Sequence, residues 1–258
     1  MDHARLILDN ALTGPVNMAR DEALLTACHA SSPITLRFYG WSPATISLGY
    51  FQEHADYLTL DAPAGSLPVV RRTTGGGAIL HDLEVTYSIV IPIGHPIVHA
   101  KPNHLYAAAH RAIIAAVGRG AQMIQCHQLP HGGDSGQRGP FFCFARRHAL
   151  DVLVQDENGI GGYSKLAGSA QRRTPNAILQ HGSIVLDSRY PQQPVVTWSR
   201  LSGSIDFDEA VRELIPSFEK ELGVSLHPSD WTVSELESAA RFEAKYRGDD
   251  WTIHRRRT

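Results

Sequence analysis

Cys143 stands between bulky aromatics in FFCFARRHALDVLVQ (141–155), directly after the glycine-rich stretch HGGDSGQRGP (131–140). An ionised thiol is a strong nucleophile, but with a reference pKa of ~8.5 only a few per cent of a free thiol is ionised near neutral pH. A reactive cysteine therefore needs a neighbour that favours the thiolate. Without one it reads as a small core residue, the commonest fate of a free cysteine. Residue type alone leaves both readings of Cys143 open. A second chemical stretch is RRTTGGGAILHD (71–82). Arg71 and Arg72 end an apolar strand, Gly75, Gly76 and Gly77 follow, and a short apolar strand runs into His81 and Asp82. Glycine lets backbone N–H groups approach a ligand with no Cβ in the way, which makes an anion-binding concavity. A plain hairpin needs only one or two glycines, so the triplet favours a ligand loop.

The elements that position these residues alternate unevenly along the chain. RLILD (5–9), ITLRFYG (34–40) and ATISLGY (44–50) read as strands, the last two as neighbours joined by the turn-forming WSP. LPVVRRT and EVTYSIVIP flank the glycine triplet as β-branched runs. LDVLV, YSKLAGSAQ and AILQHGSIVLD continue the strand pattern. Helical spacing marks PVNMARDEALLTACHA (15–30), with Pro15 suited to a first turn, and the alanine-rich NHLYAAAHRAIIAAVG (103–118), ended by Gly118. Two amphipathic helices close the chain, DEAVRELIPSFEKELG (208–223) and TVSELESAARFEAKYR (232–247). Strands dominate the middle and helices the ends, so the expected class is α+β, a mixed sheet core flanked by helices. We expect a catalytic domain over 1–190, with 191–258 as a helical C-terminal portion packed on the same domain. Cys28 falls on the first helix and Cys126 on an expected strand; both read as structural.

Composition narrows the function classes. At 258 residues, 43% hydrophobic and 19% charged, the chain can bury a sizeable core. A net charge of −2 gives no reason to expect nucleic acid, and the basic HRRRT at the end reads as solvated. An odd number of cysteines without a CxxC pair suits a reducing cytoplasm, and the first residues lack a signal-peptide pattern. No apolar run approaches ~20 residues, so no membrane span is expected. HPIVHAKPNH (95–104) lacks a metal-site pattern, so no metal is expected there. Three other short patterns fail on context. GDSGQRGP with AAAHR (107–111) looks like a serine-protease pairing, but His110 lies on a helical stretch and close to Ser135 in the chain. GIGGYSK (159–165) lacks phosphate-loop spacing, and the glycine triplet is not GxGxxG.

RRTTGGGAILHD resembles the RRxxGGGxxxHD signature of the biotin- and lipoate-protein ligase superfamily. NMARDEALL (17–25), RFYGWSPATISLGYFQ (37–52), KLAGSAQRR (165–173), ILQHGSIVLD (178–187) and KYRGDDW (245–251) agree in the family's order over nearly the whole chain. The resemblance implies the ligase-like mixed α/β catalytic fold and a tunnel for a medium-length acyl chain. It places Lys165 where the family holds the carbonyl or phosphate end of its ligand. The family contains ATP-dependent lipoate-protein ligases and cysteine-dependent octanoyltransferases. In the latter the nucleophile sits in a CF segment upstream of the lysine, as Cys143 does here. A strand, a turn and a return strand between 143 and 165 would bring the two together, and an ammonium there would favour the thiolate and hold a developing oxyanion.

The expectation is thus a cytoplasmic octanoyltransferase of lipoate biosynthesis with a thioester on Cys143. The donor is acyl carrier protein; the acceptor is a lysine of a lipoyl domain or glycine-cleavage H protein. No cofactor is required, and ATP with magnesium belongs to the alternative, a lipoate-protein ligase. By resemblance, Arg71, Arg72, Gly75, Gly76, Gly77 and His81 shape the acyl and pantetheine end. Gly168, Ser169 and Gln171 line the carbonyl side, with His181 in the following family segment.

Overall fold

The structure, a computed structural model, describes residues 2–99, 103–118, 121–123 and 139–256. Its strands are β1 (Asp2–Leu8), β2 (Thr35–Tyr39), β3 (Thr45–Leu48), β4 (Val69–Arg71), β5 (Ile79–His81), β6 (Glu84–Pro92), β7 (Ala121–Met123), β8 (Val152–Ile160), β9 (Tyr163–Arg173), β10 (Ala177–Val185) and β11 (Val224–Pro228). The helices are α1 (Gly14–Ala27), α2 (His54–Tyr57), α3 (Pro96–His99), α4 (His104–Val117), α5 (Trp198–Ser202), α6 (Phe207–Leu222), α7 (Val233–Arg247) and α8 (Asp249–Thr252). An eight-stranded mixed sheet runs in the order β11-β1-β2-β6-β10-β9-β8-β7, and a second sheet in the order β4-β3-β5. This is the α+β architecture expected from the sequence.

Alternation along three central strands decides where the core and the site lie. Every residue of β2, β6 and β10 is buried, so both faces of the sheet are covered. One face is apolar: Leu36, Phe38, Val85, Tyr87, Ile89, Ile178 and Ile184 pack in the main core with α4 and α6. With a side-chain period of two, the opposite face carries Arg37, Tyr39, Thr86, Ser88, His181 and Ser183, all buried. Buried polar groups cost stability unless hydrogen-bonded, so this face demands a network.

The helices that cover the sheet follow their sequence signals. In α4 the buried Leu105, Ala108, Ala109, Ala112 and Ile113 recur at helical spacing, and Gly118, at φ 74°, ends the helix. A capping box joins Asp206 and Glu209 at the start of α6, and Gly223 closes it in the left-handed region. Thr232 and Glu235 do the same for α7, which packs along α1 with the Lys245–Glu22 ion pair at 2.7 Å between them.

Two expectations are corrected. The strands at 34–40 and 44–50 are not partners: β2 lies between β1 and β6, and β3 pairs with β4 and β5. A strand has two edges, and both edges of β2 are taken within the large sheet. The stretch beyond residue 190 is also not purely helical, because β11 pairs in parallel with β1 and extends that sheet. Cys126 and residues 131–138 lie outside the described residues. Among the described residues, no helix is long and apolar enough to cross a membrane.

Candidate active site

Cys143 opens a single 3-10 turn, Cys143–Ala145, held against the glycine loop by backbone pairing. Cys143 N–H donates to Ala78 O at 2.7 Å, and Ala78 N–H donates to Phe141 O at 2.9 Å. The approach is close enough to require glycine at 77, where an added Cβ would lie 2.9 Å from Cys143 N. Half-buried, Cys143 remains accessible, whereas Cys28 is packed in the α1 core and its thiol pKa is pushed up by burial.

Lys165 enters from β9 through a register shift. Val152 pairs with Ala167 but Leu153 with Lys165, so Leu166 is an extra residue that re-aims its neighbours. The Lys165 Nζ lies 3.6 Å from Cys143 Sγ, 3.5 Å from Cys143 O and 2.9 Å from Asp151 Oδ2. It lies back over Gly168, where a Cβ would come within 2.4 Å of Lys165 Cε. Burial alone would lower the pKa of this ammonium, but Asp151 and the adjacent cysteine outweigh it, so the net shift is upward.

Cys143 joins two cavities. An open cleft of ≈ 400 Å³ is lined by Phe51, Gly75, Gly77, Tyr106, Asp151, Lys165 and Gln171, among others. A narrow slot leads inward beside Met18, Tyr39, Trp41, Ile79, His81 and His181. Gly76, Cys143, Ser169 and Ala170 border both. The slot is narrow, ≈ 30 Å³, and Cys143 sits where it meets the cleft.

The glycine loop owes its shape to an arginine. Arg72 donates to Gly75 O and Gly77 O, and also to Ser47 O and Oγ. Gly76 takes φ 91°, a conformation that favours glycine. Burial lowers the Arg72 pKa to about 10, yet its charge faces Cys143. Arg71 is turned away from the cleft and slot. Its guanidinium donates to the carbonyls of Gly49, Tyr50, Gln52 and Thr252, and Trp251 Nε1–H donates to Arg71 O. It ties the loop after β3 to α8.

Two histidines line the slot, each fixed by a carboxylate. His81 stacks on Trp41 with centroids 3.8 Å apart and donates from Nδ1 to Glu84 at 2.7 Å. Burial, followed by the charges of Arg72 and His181, lowers its pKa against the pull of Glu84. Ser47 donates to its Nε2 at 2.7 Å. His181 Nδ1 donates to Asp21 at 3.0 Å, and its Nε2 meets Thr74 Oγ1 at 2.7 Å. Asp21 also accepts from Arg37 and Tyr39. Burial would raise the Asp21 pKa, but the bond from His181 and the charge of Arg37 leave it lowered.

His110, on α4, reaches the same site from behind. Its Nδ1–H donates to Leu150 O, and its Nε2 accepts from Ser169 Oγ at 2.7 Å. Burial takes its pKa to about 4. Unfolded histidine titrates near 6.5, so the unfolded chain binds the extra proton first as pH falls. This histidine therefore costs stability progressively from about pH 6.5 down to 4, by roughly 3 kcal/mol at the lower end. His110→Gln keeps a donor and an acceptor and is expected to flatten that part of a urea-unfolding pH series. An unchanged slope would show that His110 accepts a proton in the folded state.

The structure thus brings together Cys143, Lys165, Gly75, Gly76, Gly77, Ser169 and Gln171 at the cleft, and Arg72, His81 and His181 at the slot. Arg71 and Gly168 support from outside. Sequence reasoning did not assign Asp151, His110, Trp41, Glu84, Asp21 or Arg37. Asp21, Arg37 and Trp41 lie in the quoted family segments; a carboxylate just before a strand, as Asp151 is, carries no pattern of its own.

A thiol and a buried ammonium meet at the mouth of an apolar slot on the mixed sheet. The model of the lipoyl protein ligase A/B catalytic domain matches residues 13–219, and the chain belongs to that family. It is 34% identical over 281 residues to octanoyltransferase LipM of Kyrpidia tusciae, covering 97% of this chain and 98% of that protein. Octanoyltransferase LipM of Brevibacillus brevis is 31% identical, with 99% and 100% covered. In fold it is similar to a bipartite lipoate protein ligase from Thermoplasma acidophilum, described with its E2 lipoyl domain. The TM-score is 0.74 at 20% identity, covering 100% of this chain and 99% of that one.

Proposed function

We propose that this octanoyltransferase of lipoate biosynthesis works through a thioester on Cys143. It takes octanoyl from acyl carrier protein and passes it to the lysine of a lipoyl domain or the glycine-cleavage H protein. The observation that carries this reading is Lys165 Nζ at 3.6 Å from Cys143 Sγ, where cleft and slot meet. The full-length likeness to octanoyltransferases supports the octanoyl group; the T. acidophilum ligase, described with its lipoyl domain, supports the acceptor class.

In the first step the Cys143 thiolate attacks the carbonyl carbon of the carrier thioester. The carbonyl oxygen takes the electron pair, and the Lys165 ammonium lies where it can stabilise that charge. Collapse breaks the carrier C–S bond and releases the carrier thiol, which takes up a proton. In the second step a neutral acceptor amine attacks the enzyme thioester, loses its proton to solvent and expels the Cys143 thiolate. Exchange between thioesters is nearly isoenergetic, so this route needs neither ATP nor magnesium.

Acceptor mass decides between this reading and the ligase alternative. With octanoyl-carrier protein and no nucleotide, the lipoyl domain should gain one octanoyl group. With free octanoate, ATP and magnesium it should gain none. Modification only under the second condition would establish a ligase. Transfer only from an octanoylated second lipoyl domain would move the donor, not the thioester.

A further inference from the structure

We propose that Asp151 is a positioning residue for the transfer, holding the Lys165 ammonium against Cys143 as a fixed cation. The inference rests on the thioester reading for its acyl-transfer consequence, though the coupling of Asp151 to the thiol stands without it.

Geometry carries the argument. Asp151 and Lys165 form a 2.9 Å pair with side chains only 4% and 3% exposed, at the wall of the cleft. Asp151 is itself fixed, because its Oδ2 accepts from His148 N–H at 2.8 Å. The lysine ammonium bridges this carboxylate and the Cys143 sulfur. A lysine so placed is poorly suited to accept a proton from the incoming amine, since an anion on one side opposes its deprotonation. Its suited role is electrostatic: first toward the thiolate, then toward the oxyanion. Without the carboxylate, burial would favour the neutral amine, and the sulfur would lose the cation at 3.6 Å.

Other charges face the pair from every packed element. Arg72 comes from the end of β4, and Arg146, Arg147 and His148 lie on the segment between the cysteine turn and β8. His110 comes from α4, where burial keeps it neutral at ordinary pH. Asp151 is the anion in direct contact with Lys165 among the described residues. Its loss therefore has a predictable sign.

The test measures iodoacetamide alkylation of Cys143 against pH, and single-turnover acylation by octanoyl-carrier protein, in the full chain. Asp151→Asn, nearly isosteric, should shift the alkylation midpoint upward by about one pH unit or more and slow acylation ~10–100-fold. Asp151→Glu should recover part of both. On a Lys165→Gln background, Asp151→Asn should no longer raise the midpoint and should slow acylation by no more than about twofold. A midpoint that stays or moves downward in Asp151→Asn would overturn the proposal, because the lysine would then be charged without its partner. An upward midpoint shift or a slowing of acylation that persists on the Lys165→Gln background would overturn it equally. Should Asp151→Asn not fold, the Asp151→Glu profile decides, since a merely structural carboxylate would leave the alkylation midpoint in place. Failure of the wild type to gain octanoyl mass would instead count against the thioester reading, with the alkylation series still testing Asp151.

Discussion

Cys143→Ala is expected to abolish transfer from octanoyl-carrier protein, lowering the rate at least ~10⁴-fold while leaving the fold intact. The turn that carries the residue is held by its backbone, through Cys143 N–H to Ala78 O and Arg146 N–H to Cys143 O. Loss of a half-buried sulfur leaves those bonds in place, and a stability change of no more than about 1 kcal/mol is expected. Intact-protein mass spectrometry should show one octanoyl adduct on the wild type, removed by hydroxylamine. It should show none on Cys143→Ala. Cys28→Ala and Cys126→Ala should both retain the adduct, Cys28 because its thiol is buried against Leu24 and Leu25 in the α1 core. An adduct that survives in Cys143→Ala would place the chemistry elsewhere.

Lys165→Gln is expected to cost ~10²–10³ in the rate of Cys143 acylation, the usual loss when one preorganised donor to an oxyanion is removed. Glutamine is the informative replacement because its amide can still donate to Asp151, whereas alanine would leave a buried carboxylate unpaired, a change typically worth ~3–5 kcal/mol of stability. Alkylation of Cys143 near neutral pH should slow in the same variant, and the thermal midpoint should fall less than in Lys165→Ala. A folded Lys165→Gln enzyme with normal acylation and alkylation would reduce the lysine to a structural partner of Asp151.

Much of the site is legible in the sequence because glycines and charged residues leave local traces. Three glycines between two arginines and a histidine read as a ligand loop, and the loop borders the cleft and slot. The two arginines were alike in sequence yet have different duties. Arg72 shapes the loop and faces Cys143; Arg71, one residue earlier on β4, points to the other side and clamps Gly49, Gln52 and Thr252. Alternation along a strand forces that divergence, but which side faces the ligand depends on what packs there. His110 shows the opposite limit. On a helix of alanines and isoleucines it read as incidental, and only the fold brings its Nε2 to Ser169 on β9.

The sequence by itself determined the elements whose signals are periodic or punctuated: the alternating strands β6 and β10, the alanine-rich α4, and α6 between its capping box and Gly223. It also carried the family motifs, because they are contiguous. Strand partnership was decided by tertiary structure. Both edges of β2 are taken within the large sheet, so β3 pairs elsewhere, and VSLHP among the late helices gains its strand from the open edge of β1. The Asp151–Lys165–Cys143 chain is likewise a product of packing. A carboxylate before β8, a lysine re-aimed by a register shift and a thiol on a docked turn acquire a common chemistry only at hydrogen-bond distance, since the interaction of buried charges falls off with separation and leaves no local pattern to read.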